Sequence, residues 1–376
     1  MTSTGRLLAE LVALPSVNPA FLPANHPHAG EQRVAEFLAT TAARAGLDVR
    51  FQKVVPWRAN VLARLSPAGK VRSTILLAPH LDTVNAAGEG QFAPRVKSGR
   101  LFGRGACDTK GSVAAMLTAV CEVARAKQRP RETQIVFAGL IDEEHVQCGS
   151  RALTAGGFKA DLAIVGEPTR LQVVTAHKGS LWLQLETRGK AAHGATPHLG
   201  RNAVHEMSRI VDLLETGYST QLKERRHPLL GHATASVGSI AGGTQANIVP
   251  DHCMITIDRR TLPGETEGGV RGEILALLRE NNLNAKITDA KLAPCLPLET
   301  NPKLPLVRQF LRSVGQTRSV GVHYFCDAAV LAQGGIPSVV FGPGDIAQAH
   351  TAEEWISLAS LERGKNLLAR FLCSLP

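Results

Sequence analysis

The apolar run QIVFAGLI ends in three consecutive acids, Asp142, Glu143 and Glu144. Adjacent carboxylates repel one another and gain nothing at the end of a buried strand unless a cation is shared there. One of two neighbouring acids can bind a metal. The other, pointing elsewhere, can take a proton from water whose pKa the metal brings to about 7, and return it as an acid to a leaving amine. On this segment alone a solvated pair of loop acids is the alternative. Other apolar runs close in the same way. His80 and Asp82 in LLAPHLDTVN stand two apart, so on a strand they share a face. A metal-bound imidazole usually gives its other N–H to a carboxylate, and Asp82 is placed to accept it; a buried His–Asp pair without metal is an equal reading. Asp108 in GRGACDTKG lies in a Gly-rich loop before a helix start, where it presents a carboxylate or serves as an ordinary capping Asp; the spacing is not that of a P-loop. Glu167 in IVGEPT and His350 in FGPGDIAQAHTAEEW complete the set. Two His and several carboxylates, with no Cys required, suit catalytic Zn2+, with Co2+ or Mn2+ as substitutes. The absence of HExxH excludes a zinc site borne on one helix. His145 carries little weight as a ligand, since its neighbours already fill the roles.

These residues need a scaffold that gathers strand ends. TILLAPH, TQIVFAGLI and LAIVGE are short buried strands, separated by the helix GSVAAMLTAVCEVARA. Continuous apolar runs alternating with helices indicate a parallel or mixed sheet covered on both faces. In such sheets ligands bind beyond the carboxyl ends of the strands, where His80, the acid trio and Glu167 all fall. After about residue 177 the texture changes. Half-exposed strands (GSLWLQLETRG, ATASVGSIAGG, DHCMITIDRRTL, NAKITDAKLA) and the helices NAVHEMSRIVDLLETG and EGGVRGEILALLREN follow the order β-α-β-β-α-β, the ferredoxin-like split unit. It reads as a domain inserted into the first. The chain then returns to α/β texture with the strand IPSVVFGPG and a closing helix, AEEWISLASLERGKNLLARFL.

A length of 376 residues predicts two domains, and 44% hydrophobic content allows a real core. No apolar run is long enough to span a bilayer. The N-terminal stretch, with Leu7, Leu8, Leu11 and Leu14 at helical spacing, reads as a first helix and not a signal peptide. Seven scattered cysteines without CxxC fit free thiols in a reducing cytoplasm. The net charge of +10 is dispersed, with KERRH at 223–227 its densest group. No nucleic-acid-binding pattern accompanies it, so the charge favours a small anionic substrate over nucleic acid or membrane.

Over nearly its whole length the chain resembles the M20 metallopeptidase family of co-catalytic zinc hydrolases. That family includes acetylornithine deacetylase, succinyl-diaminopimelate desuccinylase, aminoacylase-1 and glutamate carboxypeptidase. The segments that carry the resemblance are APHLDTV, GRGACDTKGS, DEEHVQCGS, VGEPT, HGATPHLGRNA, GGTQANIVPD, DRRTLPGE and GPGDIAQAHTAEEW. The resemblance implies a zinc-peptidase-like catalytic domain of residues 1–176 and 290–376, and an inserted lid and dimerisation domain of residues 177–289. It implies two Zn2+, one on His80, Asp108 and Glu167 and one on Asp108, Glu144 and His350. Glu143 would be the general base and acid, and Asp82 would orient His80. His193 would steady the oxyanion in a partner subunit's site of a homodimer, while Arg260 and Asn247 hold the substrate's carboxylate and carbonyl. A cis peptide after Asp108 is implied as well. Two departures stand out. Thr109 follows Asp108 where Met is frequent, and His177 stands where desuccinylases carry an Arg near the succinyl carboxylate.

The expected function is therefore a cytoplasmic dizinc amidohydrolase that removes an acyl group from an N-acyl amino acid with a free carboxylate. A dipeptidase or carboxypeptidase with the same site is the nearest rival, then a desuccinylase. A binding protein that kept the fold is a third reading, against which an intact Glu143 argues.

Overall fold

The strands that read as buried from sequence do lie side by side. Thr133–Gly139, Ser73–Pro79, Leu162–Gly166 and Ser338–Val340 pair in parallel, in that spatial order. The computed structural model describes residues 1–126, 129–290 and 293–376. Its chain divides into two units, Met1–Thr175 with Thr300–Val320 and Cys326–Pro376, and Ala176–Glu299 with Gly321–Phe325.

In the first unit an antiparallel hairpin, Asp48–Val55 and Arg58–Leu65, extends the parallel set by pairing with Thr133–Gly139, which makes the sheet mixed. Ile75, Leu76, Leu77 and Ala78 are all fully buried, as a strand covered on both faces requires. Ser3–Val12, Lys110–Arg125 and Leu358–Cys373 pack on one another, and Lys110–Arg125 also lies against the parallel strands. Gln32–Arg44 covers the hairpin, and Ala328–Gln333 packs on Leu162–Gly166 and Ser338–Val340. Phe310 joins the layers, with ring centroids 5.1 Å from Phe341 and 4.9 Å from Phe371. The closing helix begins at Leu358 and not at Ala352. Trp355–Ser357 is instead a strand paired with Arg100–Phe102, and Ser357 caps the helix by accepting the Ser360 N–H at 3.3 Å.

The second unit is a four-stranded antiparallel sheet in the order Thr234–Gly242, His252–Thr261, Gly179–Arg188, Lys286–Asp289. With the helices Ala203–Leu213 and Glu267–Glu280 it has the ferredoxin-like order. Burial alternates strictly along His252–Thr261, so one face is covered. Residues 291 and 292 of the last expected strand lie outside the described residues. Residues 290 and 293–299, expected with the first unit, group with the second, where Ser180 and Cys295 exchange backbone hydrogen bonds of 2.7 and 3.1 Å. All seven cysteines are unbridged. Among the described residues no helix is long and apolar enough to cross a membrane.

Candidate metal centre

Three parallel strands end at one place, and each end supplies a side chain. His80 follows Ser73–Pro79, Glu143 and Glu144 follow Thr133–Gly139 by a short turn, and Glu167 follows Leu162–Gly166. Asp108 comes from the loop before Lys110–Arg125, and His350 from the loop after Ser338–Val340. The Asp108–Thr109 peptide is cis.

The side chains form two overlapping groups, His80–Asp108–Glu167 and Asp108–Glu144–His350, whose donor atoms lie within 4.8 Å of one another in each. Asp108 belongs to both. Its Oδ1 lies 3.1 Å from His80 Nε2, and its Oδ2 lies 3.3 Å from His350 Nε2. Glu167 Oε1 is 3.8 Å from His80 Nε2, and Glu144 Oε1 is 3.3 Å from His350 Nε2. On the other side of His80, Nδ1 faces Asp82, with its carbonyl oxygen at 3.0 Å and Oδ1 at 3.4 Å. With Asp82 holding a proton on Nδ1, Nε2 is the nitrogen that would offer its lone pair to a cation shared with Asp108 and Glu167.

The electrostatics show what this donor set lacks. Burial first, then the charges of Glu167, Asp327 and Glu144, pushes Glu143 well above the usual carboxylate range against the pull of His80. Burial, then Asp108, Glu144 and Asp327, does the same to Glu167. Asp108 is held low, because hydrogen bonds from His350 and His80 outweigh its burial. His350 is correspondingly pushed up to about 10, by its bonds to Asp108 and then to Glu144. In the metal-free chain the positive charge that these carboxylates demand thus falls on imidazoles. Divalent cations would supply it instead, and two imidazoles with three carboxylates are a donor set that zinc accepts.

The remaining expected residues lie in the second unit. His193 and Asn247 are exposed and adjacent: His193 bridges Ile248, and the Gly194 N–H donates to the Asn247 carbonyl at 2.7 Å. A Cβ on Gly194 would sit 3.0 Å from the Asn247 backbone, so glycine permits this approach. Arg260 is elsewhere. It pairs with Asp258 at 2.9 Å and lies 5.8 Å over the Phe325 ring. His193 and Asn247 flank the His252 end of the strand His252–Thr261, and Arg260 stands at its other end. Eight residues of strand separate the two places by roughly 26 Å. The second unit therefore does not bring Arg260 to His193 and Asn247.

Several residues of the centre had no signal in the sequence. Glu354, buried, accepts from Arg104 Nη1 at 2.7 Å and from the backbone N–H of Gly105, Cys107 and Asp108 at 2.9, 2.8 and 3.0 Å. It shapes the loop that carries Asp108. Lys110 Nζ donates to the Leu11 and Leu14 carbonyls at 3.0 and 2.7 Å, tying the same loop to the first helix. Ser150 Oγ donates to Asp327 at 2.6 Å, and burial pushes Asp327 up to about 7.

The chain is similar to known proteins. Residues 76–374 match the family described as Peptidase family M20/M25/M40. Acetylornithine deacetylase of Myxococcus xanthus is 32% identical over 323 residues, 83% of each chain. Acetylornithine deacetylase of Vibrio parahaemolyticus is 31% identical over 351 residues, 91% of each. Among solved structures, aminopeptidase PepT from Bacillus cereus superposes with a TM-score of 0.79 at 23% identity, covering 99% of this chain and 97% of that one. An M20 family metallo-carboxypeptidase from Sulfolobus solfataricus gives 0.76 at 19% identity, covering 99% of both. These two share the fold. The chain belongs to peptidase family M20/M25/M40 and is a metal-dependent hydrolase of amide bonds.

Proposed function

We propose that this chain is a dizinc amidohydrolase that removes an acyl group from an N-acyl amino acid with a free α-carboxylate, as its acetylornithine deacetylase relatives are named for doing. The reading is carried by Asp108, whose two oxygens face two imidazoles, each with a further carboxylate, while Glu143, buried and next to Glu144 in the chain, is in neither group. His80, Asp108 and Glu167 would hold one Zn2+, and Asp108, Glu144 and His350 the second, with Co2+ or Mn2+ as substitutes. Bound there, the metals supply Lewis-acid activation of water and of the amide carbonyl.

The chain's own residues do the rest. The Glu143 carboxylate takes a proton from water and delivers it to the leaving amine nitrogen. Its burial beside the ligands keeps bulk water from taking the proton that it must hold between the two transfers. Asp82 keeps the proton on His80 Nδ1. Arg260 offers a guanidinium fork to the substrate carboxylate, and His193 and Asn247 offer polar groups to the carbonyl oxygen as charge builds on it. The separation of Arg260 from His193 and Asn247 favours a homodimer in which two chains complete each site. In this reading the first unit is the catalytic domain and the second unit, Ala176–Glu299 with Gly321–Phe325, the lid and dimerisation domain. Seven unbridged thiols favour a cytoplasmic enzyme.

A dipeptidase or carboxypeptidase would use the same centre. A desuccinylase is less favoured, since His177 is buried and burial pushes its pKa down to about 4, leaving no cation there for a second carboxylate. A hydrolysis screen with Zn2+ or Co2+, comparing N-acetyl, N-formyl and N-succinyl amino acids with dipeptides, tests the reading. Preference for N-acetyl or N-formyl amino acids is expected. Cleavage of dipeptides alone would replace deacylase with peptidase, and cleavage of neither would end the proposal.

A further inference from the structure

Asp142, the first acid of the trio, lies in neither ligand group and is not the proton carrier, yet it is buried and densely bonded. Its φ is +69°, a left-handed conformation in which Asp is among the few side chains found with any frequency. Its N–H donates to Glu31 Oε1 at 3.1 Å, and its carbonyl accepts from Gln147 at 2.7 Å. Its Oδ1 accepts from Arg58 Nη2 at 3.0 Å and from Asn18 Nδ2 at 3.0 Å. Arg58 also grips Glu31, at 2.8 Å through Nε and 2.6 Å through Nη2.

The Asn18 amide has a second acceptor, Asp82 Oδ2, at 2.8 Å. Asp82 in turn receives the N–H of Glu143 on Oδ1 at 3.0 Å and the N–H of Glu144 on Oδ2 at 3.1 Å. One side-chain NH2 group therefore joins the residue that sets the turn to the carboxylate that holds the next two peptides. Asp82 and Asp142 are both fully enclosed acids, and with no donor between them they would repel. The peptide planes of Glu143 and Glu144 thus have two independent constraints, the left-handed residue before them and the Asp82 carboxylate over them, and Asn18 keeps the two in register.

We propose that Asn18 and Asp142 are positioning residues that aim the Glu143 and Glu144 carboxylates at the metal centre. The proposal rests on the reading of Glu143 as proton carrier and Glu144 as ligand. It explains why three acids are consecutive: one carries the proton, one binds metal, and one turns the backbone so that its neighbours diverge. A displacement of about 1 Å in such a group can cost on the order of 10²-fold in rate.

The test uses zinc-loaded full-length protein as wild type, Asn18→Ser, Asp142→Gly and the double variant. Asn18→Ser keeps an oxygen to cap Ala20, whose N–H Asn18 accepts at 3.0 Å, while losing the paired donors. Asp142→Gly keeps a residue that adopts positive φ freely while removing the oxygen that Asn18 and Arg58 share. Each single variant should lower kcat about 10–100-fold with KM within about twofold, and weaken zinc in competition with a chromophoric chelator by a similar factor. Because the two residues share one bond, the double variant should lose little more than the worse single one. Wild-type kcat in both singles, losses that multiply in the double, or a change in KM alone overturns the proposal. Should a single variant fail to fold, Arg58→Lys reports on the same turn. It keeps the charge without the guanidinium fork, and an unchanged kcat there also overturns it. A wild type that hydrolyses no N-acyl amino acid or dipeptide would instead sink the functional reading, and the zinc competition would still decide the positioning claim.

Discussion

Glu354→Ala should damage the enzyme without replacing any expected ligand. The Glu354 side chain is fully enclosed, and its four acceptances come from the Arg104 guanidinium, itself 3% exposed, and from three backbone N–H groups of the loop that ends in Asp108. Removing the carboxylate strands a buried cation and three buried donors. Breaking one partner from a buried ion pair costs about 3–5 kcal/mol, and the orphaned N–H groups lie within that loss because the loop relaxes as a unit. At about 2–4 °C per kcal/mol for a unit of this size, the first thermal transition should fall by roughly 6–20 °C. Glu354→Gln retains an oxygen for the Cys107 and Asp108 N–H groups but turns an NH2 toward Arg104 and Gly105, so its loss should be smaller. Differential scanning calorimetry with and without zinc reads both. Zinc should raise the variant's transition less than the wild type's, since a loosened Asp108 binds more weakly. A Glu354→Ala protein that melts within about 2 °C of wild type, or a Glu354→Gln protein that melts lower than Glu354→Ala, would refute the reasoning.

Three further outcomes are expected. His177 is buried neutral with its pKa pushed down to about 4, against 6.5 for a free imidazole. Its contribution to stability is fully present above about pH 6.5 and lost as pH falls toward 4, about 3 kcal/mol in all; His177→Gln should flatten melting temperature against pH in that window, and an unaltered slope would count against it. Arg260→Ala should raise KM about 10–100-fold for substrates with a free carboxylate, the worth of one charged hydrogen bond, and esterifying that carboxylate should harm the wild type but not the variant further; equal cleavage of acid and ester by wild type removes Arg260 from the site. His193→Ala and Glu143→Ala chains, each inactive alone, should recover activity when allowed to exchange subunits, and no recovery despite proven exchange would mean that His193 does not serve a partner's site.

The centre was readable from sequence because parallel strands deliver their carboxyl ends to one edge, so His80, the acid pair and Glu167 needed only to follow apolar runs. Asp108 and His350 follow no periodic signal; their Gly- and Pro-rich loops offered them as candidates, and only the resemblance of those loops implied which ligands they join. Glu354 and Asn18 could not be read. Glu354 acts mainly on backbone N–H groups some 250 positions away, and Asn18 on acids 64 and 124 positions away, so no local pattern marks either. The hairpin Asp48–Leu65 also escaped, because its outer strand is largely exposed and its apolar residues do not alternate cleanly. Trp355 and Ile356 fitted a helical stripe equally well, and only their pairing with Phe102 and Leu101 decides for a strand. The separation of Arg260 from His193 and Asn247 follows from strand register, which short motifs do not encode.

The division of labour between neighbouring glutamates is the core of the account, and metal analysis joined to turnover on Glu143→Gln and Glu144→Gln tests it most directly. Glu143→Gln should retain both zinc ions while turnover falls about 10²–10⁴-fold, the worth of a general base, and Glu144→Gln should lose the zinc that it shares with Asp108 and His350. Loss of zinc from Glu143→Gln, or near-normal turnover in it, would contradict the assignment.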